Sequence, residues 1–450
     1  MAASAGEPPV LASVVNVVGL DAQGNPGLRG LGVIAGREDQ VLTSASLFKE
    51  QGVGVIKTPR GELRLIRQVS GIDPSSDLAV VHSEKFGSPV EEAGTHPLRF
   101  RDEVWFPVKG KAGLSLQMAR VAGLLPLSPR LTLIKLEASP PPELAGTPLF
   151  DRRGELVAML HSFSAGEGPA GMQLFLGLNQ GRLQRAGDPS KAVDLRENAA
   201  WQAFWEGVAA GQLKDWSKAR ERFSAALRLQ RQLPEAYCGR GVARYQLHDY
   251  AGALQDLEEA SRRLPGYALA YLWMGKTLER LGNREGAERA LVKALDAFPD
   301  LSEASFLLGE IAYGQEQLAK AREYLERAQD DLPQPARRWW YLGNISRVQE
   351  RFKEALREYD QAVKLEPAFP AAYLEAGKVL VMDLGRPQEA AVKLQEAVRL
   401  EPANAVARYY LALANLMAWN PGGAWEQYFT LQDLNPNLAA QLAAALEHRR

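Results

Sequence analysis

A chain of 450 residues exceeds what one core organises and has room for about three domains. Its 53 Lys and Arg against 54 Asp and Glu leave a formal charge of -1, so no global field draws it to nucleic acid or an anionic membrane, and neither partner is expected. With 46% hydrophobic residues, 24% charged residues and a single cysteine, Cys238, the composition excludes wholesale disorder, a disulfide framework and a Cys-rich zinc site.

The first residues, Met1-Ala-Ala-Ser-Ala-Gly-Glu-Pro-Pro9, lack the basic start and apolar core of a secretory signal. No run approaches the roughly 18 consecutive apolar residues of a spanning helix, so no integral membrane segment is expected. Short β-rich runs alternating with turn residues come next: Val14–Val18, Gly32–Ile34, Gln40–Thr43, Val53–Ile56, Leu63–Ile66 and Leu78–Val81. A second series is Val104–Val108, Leu116–Val121, Leu131–Leu136, Leu149–Phe150, Leu156–Leu160 and Met172–Leu176. Twelve strands point to two barrels or sandwiches. No amphipathic helix pattern separates them, which argues against a βαβ fold. Arg185-Ala-Gly-Asp-Pro-Ser-Lys191 then reads as a polar linker.

Beyond the linker the grammar changes. Gly207, Gly241, Gly275, Gly309, Gly343 and Gly377 are each 34 residues apart. Ala219, Ala253, Ala287, Ala321 and Ala355 keep step, and a spacing of 35 to Ala390 places one extra residue near Asp383 before 34 more reach Ala424. Pro265, Pro299, Pro333, Pro367, Pro402 and Pro436 fall where the second helix of each unit should end, because proline lacks the N–H that would continue it. The small residues let two helices approach closely. This pattern resembles the tetratricopeptide repeat, a helix–turn–helix unit with a 34-residue period. The resemblance implies seven units over residues 199–436 and a capping helix over 437–450, with irregular terminal units as expected of caps.

Three segments of the β-rich half resemble the trypsin-like serine proteases, most closely the HtrA-like branch, and they occur in the family's order. Gly30-Leu-Gly-Val-Ile34 with Val41-Leu-Thr-Ser-Ala-Ser-Leu-Phe48 resembles the segment that carries the catalytic histidine, but that position is Ser46. Gly71-Ile-Asp-Pro-Ser-Ser-Asp-Leu-Ala-Val-Val81 is similar to the segment of the orienting aspartate, which is retained as Asp77. Glu143-Leu-Ala-Gly-Thr-Pro-Leu-Phe-Asp151 resembles the nucleophile turn with Ala145 in place of serine. A hydroxyl is a weak nucleophile without an imidazole to take its proton. With both groups absent, no proteolysis is expected. Glu143 and Thr147 also replace glycines of the turn that builds the oxyanion hole. His82, His96, His161, His248 and His448 lie outside the matching segment and form no HExxH or i, i+4 pair, so neither a metal nor another cofactor is expected.

In the repeat half the resemblance puts the first helix of each unit on a concave surface. Counted from the phased glycines, that surface includes Phe204, Cys238, Leu272, Trp273, Phe306, Trp340, Tyr341, Leu374 and Tyr409. Large rigid aromatics are favoured anchors for a peptide or partner helix, although the same residues also serve as packing between helices. Some relatives grip a C-terminal carboxylate there with Lys, Asn and Arg. Lys276, Arg337, Asn344 and Arg347 have suitable chemistry, but most clamp positions are apolar, so an acidic tail is not the first choice of ligand. Cys238 reads as a small packing residue.

The expected molecule is a multidomain β + α chain. A chymotrypsin-like double β-barrel spans residues 12–184, a linker 185–198, and an all-α tetratricopeptide solenoid follows. Its expected function is that of a non-catalytic adaptor that binds another protein or peptide through the concave face. The alternatives are a serine endopeptidase with unrecognised catalytic residues and a regulator whose degenerate cleft holds a peptide by strand addition. The HtrA-like resemblance implies the cell envelope, with a signal peptide removed, against a cytoplasmic alternative. The sequence leaves the oligomeric state open.

Overall fold

The computed structural model describes residues 13–20, 26–34, 40–44, 47, 54–57, 63–66, 68–73, 78–82, 98–99, 101–110, 113–128, 131–137, 146–161, 174–177, 195–330 and 332–447. Two compact units, Met1–Pro299 and Asp300–Arg450, divide the chain.

The first unit begins with seven strands: β1 (Val14–Leu20), β2 (Pro26–Ile34), β3 (Gln40–Ser44), β4 (Gly54–Lys57), β5 (Leu63–Leu65), β6 (Gln68–Asp73) and β7 (Leu78–His82). They pair in the order β5–β4–β1–β2–β3–β7–β6. Alternate side chains enter two cores. Val14, Leu31, Val33, Leu42, Leu78 and Val80 pack with Phe150, Leu156 and Met159 of the next sheet, while Val15, Val17, Ile34, Val41, Ala79 and Val81 pack on the opposite face. Burial on both faces explains why these strands read as nearly continuous apolar runs.

A second sheet contains β8 (Glu103–Gly110), β9 (Gly113–Ser128), β10 (Leu131–Leu136), β11 (Pro148–Phe150), β12 (Leu156–His161) and β13 (Leu174–Gly177). Its order is β10–β13–β12–β11–β8–β9, and β9 also pairs with β10. The structure thus gives two β sheets: the pairing of β9 with β10 completes the circuit of the second, whereas the first ends in β5 and β6, which share no ladder among the described residues, so the double barrel expected from the sequence is not shown. Strand β6 was not expected either, because Ser70-Gly71 reads as a turn. The strand absorbs it as a bulge between Val69 and Gly71.

Gly146, just before β11, has φ +73°, and a Cβ there would meet the Leu31 carbonyl at 2.5 Å and the Ser44 amide nitrogen at 2.9 Å. Only glycine fits that turn.

The same unit continues with α1 (Leu195–Gln212), α2 (Trp216–Leu229), α3 (Pro234–Gln246), α4 (Tyr250–Arg263), α5 (Ala268–Arg280) and α6 (Arg284–Ala297). The second unit holds α7 (Ser302–Gly314), α8 (Leu318–Arg327), α9 (Pro335–Val348), α10 (Phe352–Leu365), α11 (Pro370–Lys378), a π-turn at Val379–Asp383, α12 (Pro387–Leu400), α13 (Ala405–Met417), α14 (Pro421–Leu434) and α15 (Pro436–Glu447). The π-turn takes up the extra residue that the 35-residue spacing locates near Asp383.

Every turn between paired helices contains one residue in the left-handed region: Lys214, His248, Gly282, Glu316, Glu350, Gly385 and Trp419. Most second helices stop two residues before the phased proline, as at Arg263, Ala297, Leu365 and Leu400. Helix α8 is different. It ends at Arg327, and the chain turns so that Asp330 accepts hydrogen bonds from Arg338 (2.6 Å) and Trp339 (3.0 Å) of α9.

Two substitutions test this backbone geometry with opposite signs. Glu350→Gly relieves φ +58° and is expected to raise the unfolding free energy of the second unit by about 0.5–1 kcal/mol. Gly343→Ala drives a methyl into the Tyr359 ring and is expected to lower it by about 1–3 kcal/mol. Urea midpoints measure both, and equal midpoints for the two variants would refute the assignment.

Candidate functional site

The expected groove residues separate into buried and accessible sets. Phe204 is 2% exposed and packs among Trp201, Trp205 and Phe223, with ring centroids 5.1–5.6 Å apart. Leu272 and Cys238 are 1% exposed, and Phe306 is buried as well. These four are packing residues and offer no surface to a partner. Burial pushes the Cys238 thiol up to about 12, against the hydrogen bond with Tyr267, so it holds no thiolate near neutral pH. Trp273 is half-buried, edge-on to Tyr245 at 5.2 Å, and its ring carries the Lys276 ammonium at 3.9 Å. Tyr409 and Leu374 are half-buried against the cores of the last repeats.

The remaining expected residues converge on α9, and three buried anchors position that helix. Arg338 donates to the Leu325 carbonyl at 2.7 Å as well as to Asp330. Gly343 lies against the ring of Tyr359 from α10, which is fully buried. Arg322 of α8 reaches Glu354 (3.4 Å) and Glu358 (3.2 Å) of α10 and the Ser346 hydroxyl of α9. Burial raises the Glu358 carboxyl, while Ser346 and Arg322 oppose the rise. These contacts fix the rotation of α9.

That rotation presents Arg337, Trp340, Tyr341 and Arg347 on the half-buried face. Arg337 pairs with Glu310 of α7 at 2.6 Å and lies over Phe306 at 5.8 Å. Tyr341 contacts Trp340, Tyr313 and Phe306 at ring-centroid distances of 5.0, 5.1 and 6.2 Å. Asn344 is only 5% exposed, and its Oδ1 accepts a hydrogen bond from the Tyr359 hydroxyl at 2.7 Å. Its carbonyl oxygen is therefore spent inside the repeat. Arg347 lies 3.7 Å from Glu375 of α11, whose other oxygen takes the Lys378 ammonium at 2.8 Å.

Tyr313, Tyr359, Glu310, Glu375 and Lys378 were not expected from the sequence. One signal for Tyr359 was available: 16 residues after successive phased glycines stand Phe223, Leu257, Leu291, Leu325 and Tyr359. A hydroxyl among leucines marks the one unit of these five in which the packing position carries a polar group.

Ser46, Asp77 and Ala145, together with Glu143, lie outside the described residues. Among the described residues, no group of three or more His, Cys, Asp or Glu side chains has the arrangement of a metal site, and no helix is long and apolar enough to cross a membrane.

Comparison with known families places tetratricopeptide-repeat matches at residues 206–268, 272–336 and 380–438, and a TPR-repeat match at 343–383. The helical region is built of tetratricopeptide repeats. Similar solved structures include a chain of an APC/C hetero-tetramer, with 20% identity, TM-score 0.40, 48% of this chain and 42% of that one covered. PilF of Pseudomonas aeruginosa is 18% identical with TM-score 0.42, covering 47% and 97% of the two chains. The C-terminal part of a TPR repeat-containing protein of Cytophaga hutchinsonii is 16% identical with TM-score 0.43, covering 53% and 98%. The chain thus spans less than half the length of the first of these. No protein of curated function matches it.

Burial pushes the Tyr341 phenol up to about 12, with Glu310 adding to the rise and Arg337 opposing it. A folded-state value above the ordinary one of about 10 means that the protonated phenol stabilises the fold fully below pH 10 and that this contribution is lost as pH rises towards 12. Unfolding free energy is expected to fall across that window, and Tyr341→Phe to flatten the fall. A variant with the wild-type pH profile would remove Tyr341 as the source.

Proposed function

We propose that the protein is a non-enzymatic adaptor whose tetratricopeptide repeats hold a segment of another protein on the face built around Trp340, Tyr341 and Arg347. One observation carries the reading. Aromatic and hydrogen-bonding side chains on α9 stay half-exposed, while Arg338, Gly343 and Ser346 beneath them are buried and engaged. Rigid support under an accessible aromatic face lowers the entropy lost on binding. The paired state of Arg337 with Glu310 and of Lys378 with Glu375 speaks against a clamp for an acidic tail.

For the β-rich part we infer a trypsin-like fold that has lost its catalytic groups. Support comes from the order of the three motif segments, with Ser46 at the histidine position and Ala145 at the nucleophile position, and from the glycine-only turn at Gly146 directly after Ala145. In a measured triad, loss of the nucleophile or of the base alone costs about a millionfold in turnover, and the losses are not additive. The part therefore serves as a folded module that does not cut. Location in the cell envelope belongs to the same proposal and rests on the HtrA-like resemblance alone.

Two experiments test the proposal. Replacing Trp340 and Tyr341 by Ala in the full chain is expected to cut capture of its partner from the native source by about tenfold or more, each anchor contributing on the order of 1–2 kcal/mol, with the helical circular dichroism retained. Capture that survives the double substitution would move the site elsewhere. A serine-directed fluorophosphonate is expected to leave the chain unlabelled. A labelled serine would restore the hydrolase reading.

A further inference from the structure

The first compact unit ends at Pro299, the phased proline of the third repeat, so the two sheets and the first three repeats belong to one unit. Within it, strand β9 lies against helix α5, the first helix of the third repeat. β9 runs for 16 residues, about 50 Å of extended chain. Its first half, Gly113–Arg120, pairs with β8, and its second half, Val121–Ser128, pairs with β10. Each half therefore has a ladder on one edge and, among the described residues, none on the other. An open edge presents main-chain N–H and C=O groups, and a helix laid along it shields them from other strands. Helix α5 suits that role, because Tyr271, Trp273, Met274 and Leu278 give it a half-buried aromatic and apolar surface.

Burial along the repeats locates the cover. Leu272 of α5 and Leu374 of α11 are the same residue at the same phase, three before Gly275 and Gly377. Leu272 is 1% exposed, whereas Leu374 is half-buried. The side chains at this phase in the preceding repeats favour the opposite, since the small Cys238 comes before Leu272 and the large Trp340 before Leu374. Six residues before the glycine the contrast recurs. Leu269 is 6% exposed there, while Val406 of the last repeat, with Ala412 in the place of the glycine, is 43% exposed. Glu235, at the same phase of the second repeat, is 7% exposed although a carboxylate is costly to bury. The repeat pattern is common to both units and does not account for the difference. What the first unit adds to its repeats is the sheet that carries β9.

We propose that β9 is a built-in occupant of the first-helix face at the third repeat: α5 shields the open edge of β9, and β9 in turn closes this face to other proteins. The β-rich part thereby acts as an internal plug. A partner protein is directed to the later repeats, whatever it binds there, so the inference stands independently of the contacts proposed for α9.

The test uses the full chain with Cys238→Ala, so that single introduced thiols report. With the helical circular dichroism retained, a maleimide is expected to label Leu272→Cys at least about tenfold more slowly than Leu374→Cys. Met118→Asp with Ala122→Asp places a charge on each half of β9 and is expected to speed the first reaction by about tenfold or more while leaving the second unchanged. In a chain otherwise unaltered, a benzophenone amino acid in place of Trp273 or of Lys276 is expected to form a photo-crosslink to the segment Gly113–Ser128. Equal labelling of the two thiols overturns the proposal, and so does a crosslink map from both positions that omits β9. A Leu272→Cys rate that stays slow once the two aspartates have abolished the crosslink also overturns it, because the neighbouring helices alone would then be the cover.

Discussion

The close approach of paired helices at one small residue per repeat is the constraint from which the rest of the second unit follows. At Gly309 an added Cβ would stand 2.7 Å from Leu325, so the first helix rests directly on a side chain of the second. At Gly343 the side chain beneath is Tyr359, larger than leucine and still fully buried. The added ring and hydroxyl change what α9 can present. The hydroxyl must find a partner inside the repeat, and it finds Asn344 Oδ1. Burial holds the phenol well above its usual range, so it stays a donor throughout the ordinary pH range. One change at a packing position thus commits Asn344 to the interior and engages Arg347 as well, while Trp340 and Tyr341 stay half-buried.

Charged groups around that face act more as spacers than as a source of stability. Arg322, Arg337 and Arg338 each bond a carboxylate from another element, and Arg322 and Arg338 are mostly buried. Desolvation consumes much of the Coulomb gain in such pairs, while loss of one partner strands the other. Their value here lies in direction. Arg338 and Trp339 share Asp330, which fixes where α8 stops and where α9 starts. Arg322 ties the rotation of α9 to α10 through Ser346 and Glu358. Such fixed supports hold the half-buried rings of α9 in one orientation.

The repeats were legible because the sequence writes their period three times, in glycine, alanine and proline, and each residue has a separate physical reason to be there. The extra residue near Asp383 was legible for the same reason, as a single break in that count, although its π-helical form was not. Burial at the groove was not. Phe204 and Phe306 share their repeat phase with Trp340, yet only Trp340 keeps part of its surface. Which of them faces solvent depends on the side chains of neighbouring helices, and a count along one helix does not contain that information. Among the strands, alternation located most elements, but β6 was hidden by Ser70-Gly71, whose turn chemistry the sheet absorbs as a bulge. The shortened α8 was equally hidden, since the Arg338–Asp330 bond that holds the turn is a tertiary contact.

The β-rich part carries its own constraint at Gly146. Its positive φ and the nearby Leu31 carbonyl and Ser44 amide tie the turn before β11 to the ends of β2 and β3. Thr43 reinforces the junction by donating its hydroxyl to the Leu31 carbonyl at 2.8 Å. Thr147, next to Gly146, is fully buried. These contacts serve packing. This tight glycine turn joins the two sheets, and the cost of losing it falls on the core shared by Leu31, Leu42, Phe150 and Met159.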